Sequence, residues 1–405
     1  MAARQMVIGI DVAHGGLWNS LFQDSLRGIL RYASSSPSWK LLFNDGPLKQ
    51  RGGFSRYEDL ETLGAAGLIT YGRLSLSEIR RVKALRIPVV AMQTGMAGPF
   101  PSVQTDFAEN GRIVAEHLLD RGFRSFGFVG NLALPSIAAR YEGFAQTVQR
   151  RGRPCAWFSV RQKDDGEPRA NRSEALRRLR AGRPTAPREN SLSEWLAGLL
   201  KPVGIMASSD RRAQSVLAAC KRLGLAIPDD AAIVGVENNE LICESMRPQL
   251  SSVDVNGGRI GFEAARLLGR LMNGERAPGE PVWIPPRSVV TRASSNALAV
   301  SDRAVREATE YSARNLENPI GLNDIVRASG VSCATLERRF HQSLDRTVNE
   351  ELVRQRLDRA KRLMIETDLS LARIAEISGF RYSYFRNVFA AEARIPPGQW
   401  RCEHR

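Results

Sequence analysis

Residues 322–340, LNDIVRASGVSCATLERRF, and residues 371–389, LARIAEISGFRYSYFRNVF, carry the same apolar framework 49 positions apart. The matched positions are apolar residues and a turn glycine: Ile325 and Ile374, Gly330 and Gly379, Leu336 and Phe385, Phe340 and Phe389. In each copy the glycine separates two helical patterns, because the turn needs a positive φ. The apolar pair four residues apart fixes the second helix to its scaffold and leaves its other face free for a DNA groove. Each copy therefore predicts a helix-turn-helix, and the tandem predicts a DNA-reading module.

The sequence from residue 303 to the end predicts an all-α domain of seven helices that holds both units. The predicted helices are Arg303–Leu316, Leu322–Ala328, Ser332–Ser343, Val348–Ile365, Leu371–Ile377, Ser383–Ala391 and Pro397–Cys402. The long fourth helix joins the units rigidly, so their second helices are expected to enter successive major-groove faces about 10 bp apart. The same geometry predicts an asymmetric half-site of roughly 15–20 bp per subunit.

The first 290 residues alternate β-rich runs with helical patterns, which predicts two parallel sheets covered by helices. The predicted strands are Met6–Ile10, Lys40–Phe43, Gly67–Thr70, Pro88–Ala91, Ser125–Val129, Val203–Ala207 and Ala232–Val236. The predicted helices include Glu109–Arg121, Ala138–Arg151 and Arg211–Leu223. No dinucleotide-binding, Walker or nucleophile-elbow motif follows these strands, so no cofactor is expected. Ligands on such sheets bind beyond the carboxyl ends of the strands.

Polar residues that follow these strands are the candidates for a sugar site, because hydroxyl groups need both donors and acceptors. The polar candidates are Asp106, Arg140, Asp210, Glu237 and Asn238, and the aromatic candidates for stacking on the sugar are Trp18 and Phe22. Each has a simpler alternative. Asp210 also suits a helix N-cap, Arg140 a surface ion pair, and the aromatic rings a core.

The length predicts a multidomain protein, and the net charge favours contact with a polyanion. The 405 residues carry a net charge of +15, yet residues 301–405 hold 18 Lys+Arg against 15 Asp+Glu, so most of the excess lies in residues 1–300. Much of it falls in a basic segment expected to be a mobile insertion at 151–192. A small polar segment at 293–302 is expected to be a linker between residues 1–292 and 303–405, with helix-turn-helix units at about 322–343 and 371–391.

The cysteine and histidine content predicts a reducing compartment and no metal site. Five scattered cysteines form neither a disulfide framework nor a paired metal motif, and the four histidines fit no ligand spacing. The N-terminus lacks the pattern of a secretory signal and no stretch is long enough to cross a membrane. A cytoplasmic protein without metal, cofactor or membrane partner is expected.

The C-terminal motifs resemble the AraC/XylS family of transcription regulators over about 100 residues. The matching runs are Ser332–Phe340, Arg356–Leu363, Ile374–Phe380 and Ser383–Phe389. The resemblance implies base-reading positions at Ala334, Glu337 and Arg338 in the first unit and at Tyr382, Ser383 and Asn387 in the second. Chemistry favours Arg338 for guanine, Asn387 for adenine and Glu337 for cytosine, with Arg339 and Arg386 on phosphates. The alternative is that Glu337 and Arg338 belong to a solvated face.

This sequence departs from the AraC/XylS pattern at three places. Only Arg381 and Tyr382 stand between the Gly-Phe pair and Ser383, where the family usually has three residues. Asp345 and Arg394 each occupy a place usually held by glycine.

The N-terminal half resembles the LacI/periplasmic-binding-protein type of sugar domain, most clearly at Val234–Asn238, Leu250–Val253 and Gly261–Leu268. A sensor of this type ahead of an AraC-type tail is the order found in regulators of xylose use. The resemblance places Arg140, Asp210 and Glu237 at sugar-contacting positions, with Glu237 where the family commonly has aspartate.

The combined interpretation is a sugar-responsive, DNA-binding transcription regulator and not an enzyme. The expected effector is a pentose, with xylose as the first candidate, and the expected effect is activation of transcription. The expected partners are double-stranded operator DNA, RNA polymerase and a second copy in a homodimer. Three alternatives stay open: another sugar or a non-sugar effector, a sugar-binding transport receptor, and an enzyme using Asp106, Asp210 or Glu237 as an acid/base pair.

Overall fold

The computed structural model describes most of the chain and divides it into two compact units. The described residues are 5–11, 20–35, 38–44, 54, 56–95, 98–159, 192–300 and 302–404. The first unit comprises Met1–Glu116 and Ser125–Asn296, and the second comprises His117–Arg124 and Ala297–Arg405.

Two six-stranded sheets form the first unit. The first sheet has the order β11-β5-β4-β3-β1-β2 and is parallel throughout. Its strands are β1 (Met6–Asp11), β2 (Trp39–Asn44), β3 (Ala65–Tyr71), β4 (Val89–Met92), β5 (Ser102–Thr105) and β11 (Val282–Ile284). The second sheet has the order β12-β10-β9-β8-β6-β7, and only β12 runs antiparallel to its neighbour. Its strands are β6 (Ser125–Gly130), β7 (Cys155–Ser159), β8 (Val203–Ala207), β9 (Ala231–Val236), β10 (Ser251–Asp254) and β12 (Ser288–Val290).

Nine described helices accompany these sheets along the chain. They are α1 (Ser20–Ser34), α2 (Asp59–Thr62), α3 (Leu76–Ala84), α4 (Phe107–Leu119), α5 (Pro135–Arg150), α6 (Leu192–Ala197), α7 (Asp210–Arg222), α8 (Glu240–Ser245) and α9 (Gly257–Met272). Two helix pairs approach so closely that only glycine fits between them. A Cβ on Gly28 of α1 would lie 1.9 Å from the carbonyl oxygen of Gly258 of α9, and one on Gly111 of α4 would lie 2.0 Å from that of Arg140 of α5. Gly111 therefore sets the position of the helix that carries Arg140.

All seven predicted strands are present, and the predicted two-sheet class is confirmed. Five further strands, β5, β7, β10, β11 and β12, were not predicted from the sequence. The expected basic insertion was too wide, because 155–159 pairs with β6 as an edge strand and 192–197 is helical; the rest of that segment, 160–191, lies outside the described residues. The expected linker also began too early. Ala293–Ser295 form a short 3₁₀ helix in which Ser294 and Ser295 are buried, because their hydroxyls bond into the second sheet.

The second unit contains the seven predicted helices, with ends that differ by a few residues. They are α10 (Arg303–Arg314), α11 (Leu322–Ser329), α12 (Cys333–Leu344), α13 (Val348–Glu366), α14 (Leu371–Ile377), α15 (Tyr382–Ala393) and α16 (Pro397–His404). The apolar pairs that the repeat predicted are buried in two separate cores. Leu336 and Phe340 lie in the first, and Phe385 and Phe389 lie in the second.

The turns have the backbone that the glycines predicted, with φ of 69° at Gly330 and 77° at Gly379. Asp345 and Arg394, which stand where the AraC/XylS pattern usually has glycine, also adopt positive φ, at 55° and 60°. The fold therefore keeps the left-handed conformation at both places, although this conformation is unfavourable for residues that carry a Cβ.

Arg356 of the long helix α13 contacts Gly379, in the turn of the second helix-turn-helix unit, and Ile320, which precedes the first. Its guanidinium donates to the carbonyl oxygen of Ile320, just before the first helix-turn-helix unit, at 3.0 Å. It also fills the space beside Gly379, where a Cβ would lie 2.6 Å from its Nε. This contact supports the expectation that α13 joins the two units rigidly.

Candidate functional site

A buried carboxylate that follows β8 is hydrogen-bonded by a residue that follows β9 and by a residue within β10. Asp210 begins α7 directly after β8 and is fully buried. Its Oδ1 accepts a hydrogen bond from the Ser252 hydroxyl at 2.5 Å, and its Oδ2 accepts one from the Asn239 backbone N–H at 2.7 Å. The predicted residues Asp210, Glu237 and Asn238 are thus brought together at the carboxyl edge of the second sheet, where ligands of such sheets bind.

The electrostatics of this site disfavour two negative charges. Burial, followed by the negative charge of Glu237, raises the pKa of Asp210 to about 7. The backbone of the loop is also unusual, because φ is 103° at Glu237 and 48° at Asn238. Non-glycine residues rarely adopt such angles, and strained residues of this kind concentrate at ligand sites.

Arg140 lies beside the same edge and links three elements of the first unit. Its guanidinium donates to the carbonyl oxygen of Ser208, at the end of β8, at 2.7 Å. It also lies 5.4 Å from the ring centroid of Phe107, at the start of α4. Asp106, directly before Phe107, accepts the Glu109 backbone N–H at 2.9 Å as an N-cap. The surface ion pair considered for Arg140 does not describe it, since the residue is buried.

A second polar cluster, which was not predicted from the sequence, lies at the carboxyl edge of the first sheet. Asp11 ends β1, Asn44 ends β2, and the two are paired in register. The Asp11 carboxylate accepts hydrogen bonds from Asn44 Nδ2 at 3.1 Å and from the Tyr57 hydroxyl. All three side chains are buried. A polar residue directly after the apolar run Met6–Ile10 was the signal that could have identified Asp11.

The two aromatic candidates are placed differently. Phe22 is fully buried and packs edge-on against Tyr71, with ring centroids 5.1 Å apart, so in this structure it is a core side chain. Trp18 lies outside the described residues.

The second unit presents two exposed helix faces opposite its buried apolar pairs. In α12, Ala334 and Arg338 are exposed, one helical turn apart. In α15, Tyr382, Ser383, Arg386 and Asn387 are exposed. A helix pinned by one face and polar on the other has the form needed for reading base edges in a major groove.

Two residues that were predicted to contact DNA, Glu337 and Arg339, bond to other residues of the second unit. Glu337 accepts the backbone N–H of Val348 at 3.2 Å, at the first residue of α13. Arg339 pairs with Asp302, the N-cap of α10, at 3.3 Å. Among the described residues, the structure shows no hydrogen bond or ion pair for Arg338, so Arg338 is better placed than Glu337 or Arg339 to reach a base.

Neither a metal site nor a membrane span is found in the part of the chain that the structure describes. No group of three or more metal-ligating side chains is found there. No helix there is long and apolar enough to cross a membrane.

Comparisons with known proteins match both units. Residues 115–295 match the periplasmic binding protein-like domain, and residues 325–403 match a helix-turn-helix domain. The chain is 28% identical over 324 residues to the xylose operon regulatory protein of Haemophilus influenzae, covering 78% of this chain and 79% of that protein. It is 31% identical over 226 residues to the xylose operon regulatory protein of Escherichia coli strain K12, covering 54% of this chain and 58% of that protein.

A solved structure of the xylose-binding transcription activator XylR aligns with a TM-score of 0.56 at 22% identity, covering 99% of each chain. At this identity the match concerns the fold, and it includes both units in the same order. The relatives are transcription regulators and not enzymes. The chain is therefore similar to xylose operon regulatory proteins, and its two matched regions are a periplasmic binding protein-like domain and a helix-turn-helix domain.

Proposed function

We propose that this protein is a transcription regulator. Its first unit binds a pentose, with xylose as the first candidate, and its second unit binds operator DNA. One observation carries the proposal: polar side chains lie at the carboxyl edges of the two parallel sheets, and two helix-turn-helix units follow in the same chain. The relatives that match 78% and 54% of this chain are xylose operon regulatory proteins.

The chemistry of the site suits a polyhydroxylated ligand. Asp11, Asp210 and Glu237 supply acceptors for hydroxyl protons, whereas Arg140 supplies donors for hydroxyl oxygens. Several of these groups are held by second partners, as with Asn44 and Tyr57 on Asp11. Fixed donors and acceptors favour one arrangement of hydroxyls over its stereoisomers, because a misplaced hydroxyl leaves a buried polar group unpaired.

For the DNA, the proposal places α12 and α15 in successive major-groove faces. Arg338 is proposed to contact guanine and Asn387 adenine, with Tyr382, Ser383 and Ala334 along the same faces and Arg386 on phosphate. Because Glu337 and Arg339 are held by Val348 and Asp302, we propose that they orient the reading helix. A homodimer acting with RNA polymerase in the cytoplasm completes the proposal.

The test is calorimetric titration of the full chain with xylose, arabinose, ribose and glucose, on the wild type and on Glu237→Ala. Saturable xylose binding that the substitution removes supports the effector and the site together. Asp229→Asn, an exposed change in the same unit, serves as the control and is expected to leave binding unchanged. If none of the four sugars binds, the sugar effector is wrong.

A DNA measurement completes the test. Sugar and operator affinities must be linked, so any factor by which xylose tightens operator binding must equal the factor by which operator tightens xylose binding. Unequal factors at equilibrium would contradict a two-state regulator.

A second candidate is a regulator of the same kind with a different sugar as effector. Glu237 favours this candidate, because its side chain is longer than the aspartate that LacI-type sugar domains commonly have there and its backbone has a φ of 103°. It predicts that arabinose or ribose binds in preference to xylose in the same titration.

A further inference from the structure

Arg292, the last residue before the short 3₁₀ helix, is bonded to the loop that carries the predicted ligand residue Asn238. Its guanidinium NH1 donates to Asn238 Oδ1 at 2.9 Å and to the carbonyl oxygen of Leu250 at 3.0 Å. Its backbone N–H donates to the Ser251 hydroxyl at 2.8 Å. Arg292 is therefore held by both its backbone and its side chain.

This contact decides which hydrogen-bonding group Asn238 offers to a ligand. A guanidinium has only donors, so the amide of Asn238 must turn its oxygen towards Arg292. The amide nitrogen then points the other way, and its two N–H groups are the ones left for a ligand. Asn238 is thereby fixed as a donor, next to the acceptors Asp210 and Glu237.

The backbone of Asn238 is held as firmly as its side chain. At φ of 48° it is left-handed, and its N–H donates to the Ser252 hydroxyl at 3.0 Å. That hydroxyl in turn donates to Asp210. One chain of hydrogen bonds therefore runs from Asp210 through Ser252 and Asn238 to Arg292.

The chain of bonds ends where the polypeptide leaves the second sheet. The Ser294 hydroxyl donates to the carbonyl oxygen of Ile233 at 2.6 Å, and the Ser295 hydroxyl bonds to that of Ser251 at 2.8 Å. Residues 292–295 are thus fastened to β9 and β10, immediately before the polypeptide continues towards the helix-turn-helix units.

We propose that Arg292 is a positioning residue of the ligand site, which fixes the Asn238 amide as a donor to an acceptor oxygen of the sugar and fastens this loop to residues 292–295. The inference rests on the proposed function for its ligand. It adds a residue that does not touch the sugar, and it fixes the direction of one hydrogen bond.

The first experiment titrates xylose into the full-length wild type, Arg292→Leu, Asn238→Leu and the double variant. We expect about a tenfold loss of affinity for Arg292→Leu, the size of one charge-assisted hydrogen bond. The double variant should bind no more weakly than Asn238→Leu alone, because both changes remove one pathway. Independent, additive losses would overturn the proposal.

Two further variants separate positioning from structural damage. Arg292→Lys retains a donor and is expected to stay within about threefold of wild type. Asn238→Asp keeps a partner for Arg292 but replaces the donor to the sugar with an acceptor, so binding should be lost while the protein stays folded. Arg247→Leu is the matched control, because Arg247 also donates to nearby carbonyl oxygens, those of Glu244 and Met246, without contacting Asn238. Wild-type affinity in Asn238→Asp, or equal losses in Arg247→Leu and Arg292→Leu, would contradict the inference.

A second measurement needs no sugar and therefore distinguishes failure of this inference from failure of the proposed function. The unfolding equilibria of wild type, Arg292→Leu, Asn238→Leu and the double variant form a double-mutant cycle. We expect the two changes to be coupled by about tenfold in the unfolding equilibrium constant. A coupling near unity would refute the contact even if no sugar binds, whereas strong coupling without sugar binding would place the fault in the choice of effector.

Discussion

Replacing Asp210 with asparagine tests the electrostatics of the buried site. The pKa of Asp210 is raised to about 7 from the ordinary 3.8, chiefly by burial and then by Glu237. The native state therefore holds this proton more tightly than the unfolded state, and the ionised carboxylate costs stability. The cost is absent below about pH 4, grows by about 1.4 kcal/mol per pH unit up to pH 7, and then levels off.

The expected change in the free energy of unfolding follows from these two pKa values of Asp210. Between pH 5 and pH 8, Asp210 should lower the free energy of unfolding by about 2.5 kcal/mol, and Asp210→Asn should remove that part of the pH dependence. The amide oxygen can still accept the Asn239 N–H, and the Ser252 hydroxyl can accept from the amide nitrogen, so the substitution keeps the site filled.

The assay is urea denaturation followed by circular dichroism at several pH values from 5 to 8. The difference in unfolding free energy between Asp210→Asn and wild type should move steadily in favour of the variant as the pH rises. Asp229→Asn, exposed and in the same unit, should show no such trend. Parallel curves for wild type and Asp210→Asn would refute the reasoning, because they would mean that the proton is bound equally in the two states.

Three further predictions concern packing, backbone and DNA. Gly111→Ala should cost more than about 3 kcal/mol in thermal unfolding, since its Cβ would lie 2.0 Å from a carbonyl oxygen; Gly98→Ala, in open space, is the control, and equal melting temperatures would contradict the packing. Arg394→Gly should stabilise the second unit by about 1 kcal/mol in denaturant unfolding, because the left-handed backbone no longer carries a side chain; a lower stability would show that Arg394 makes a contact of greater value. Arg338→Ala should reduce discrimination at one guanine of the operator by about 1–3 kcal/mol in competition binding, whereas Arg327→Ala, on the preceding helix α11, should not; an equal loss on every sequence would make Arg338 a phosphate contact.

Local patterns in the sequence were enough to predict the class of fold and most of its elements. The repeat of apolar residues and glycine around Gly330 and Gly379 determined both helix-turn-helix units, because the turn and the buried pair each depend on neighbours a few residues away. Strand patterns likewise identified most of the two sheets. The edge strand 155–159 was missed because a short apolar run within a basic segment has no periodicity of its own.

The positions of the candidate ligand residues were predictable only in part. A polar residue after a strand marks the ligand-binding edge of a sheet, which is why Asp210 and Glu237 could be proposed. Asp11 carries the same local signal and was overlooked, but its association with Asn44 and Tyr57, 33 and 46 residues away, was not predictable from the sequence. Nothing in a local pattern records such a distance.

Only the tertiary structure decided which side chains bond to other parts of the protein and which are exposed to solvent. Glu337 and Arg338 are neighbours in sequence and looked alike as base-reading candidates, yet Glu337 bonds to Val348 while Arg338 is exposed. The donor direction of Asn238 depends on Arg292, 54 residues further along the chain. The sequence determined the helices, strands and turns through short-range sterics and burial, whereas hydrogen-bond partners depend on where distant segments meet in the folded chain.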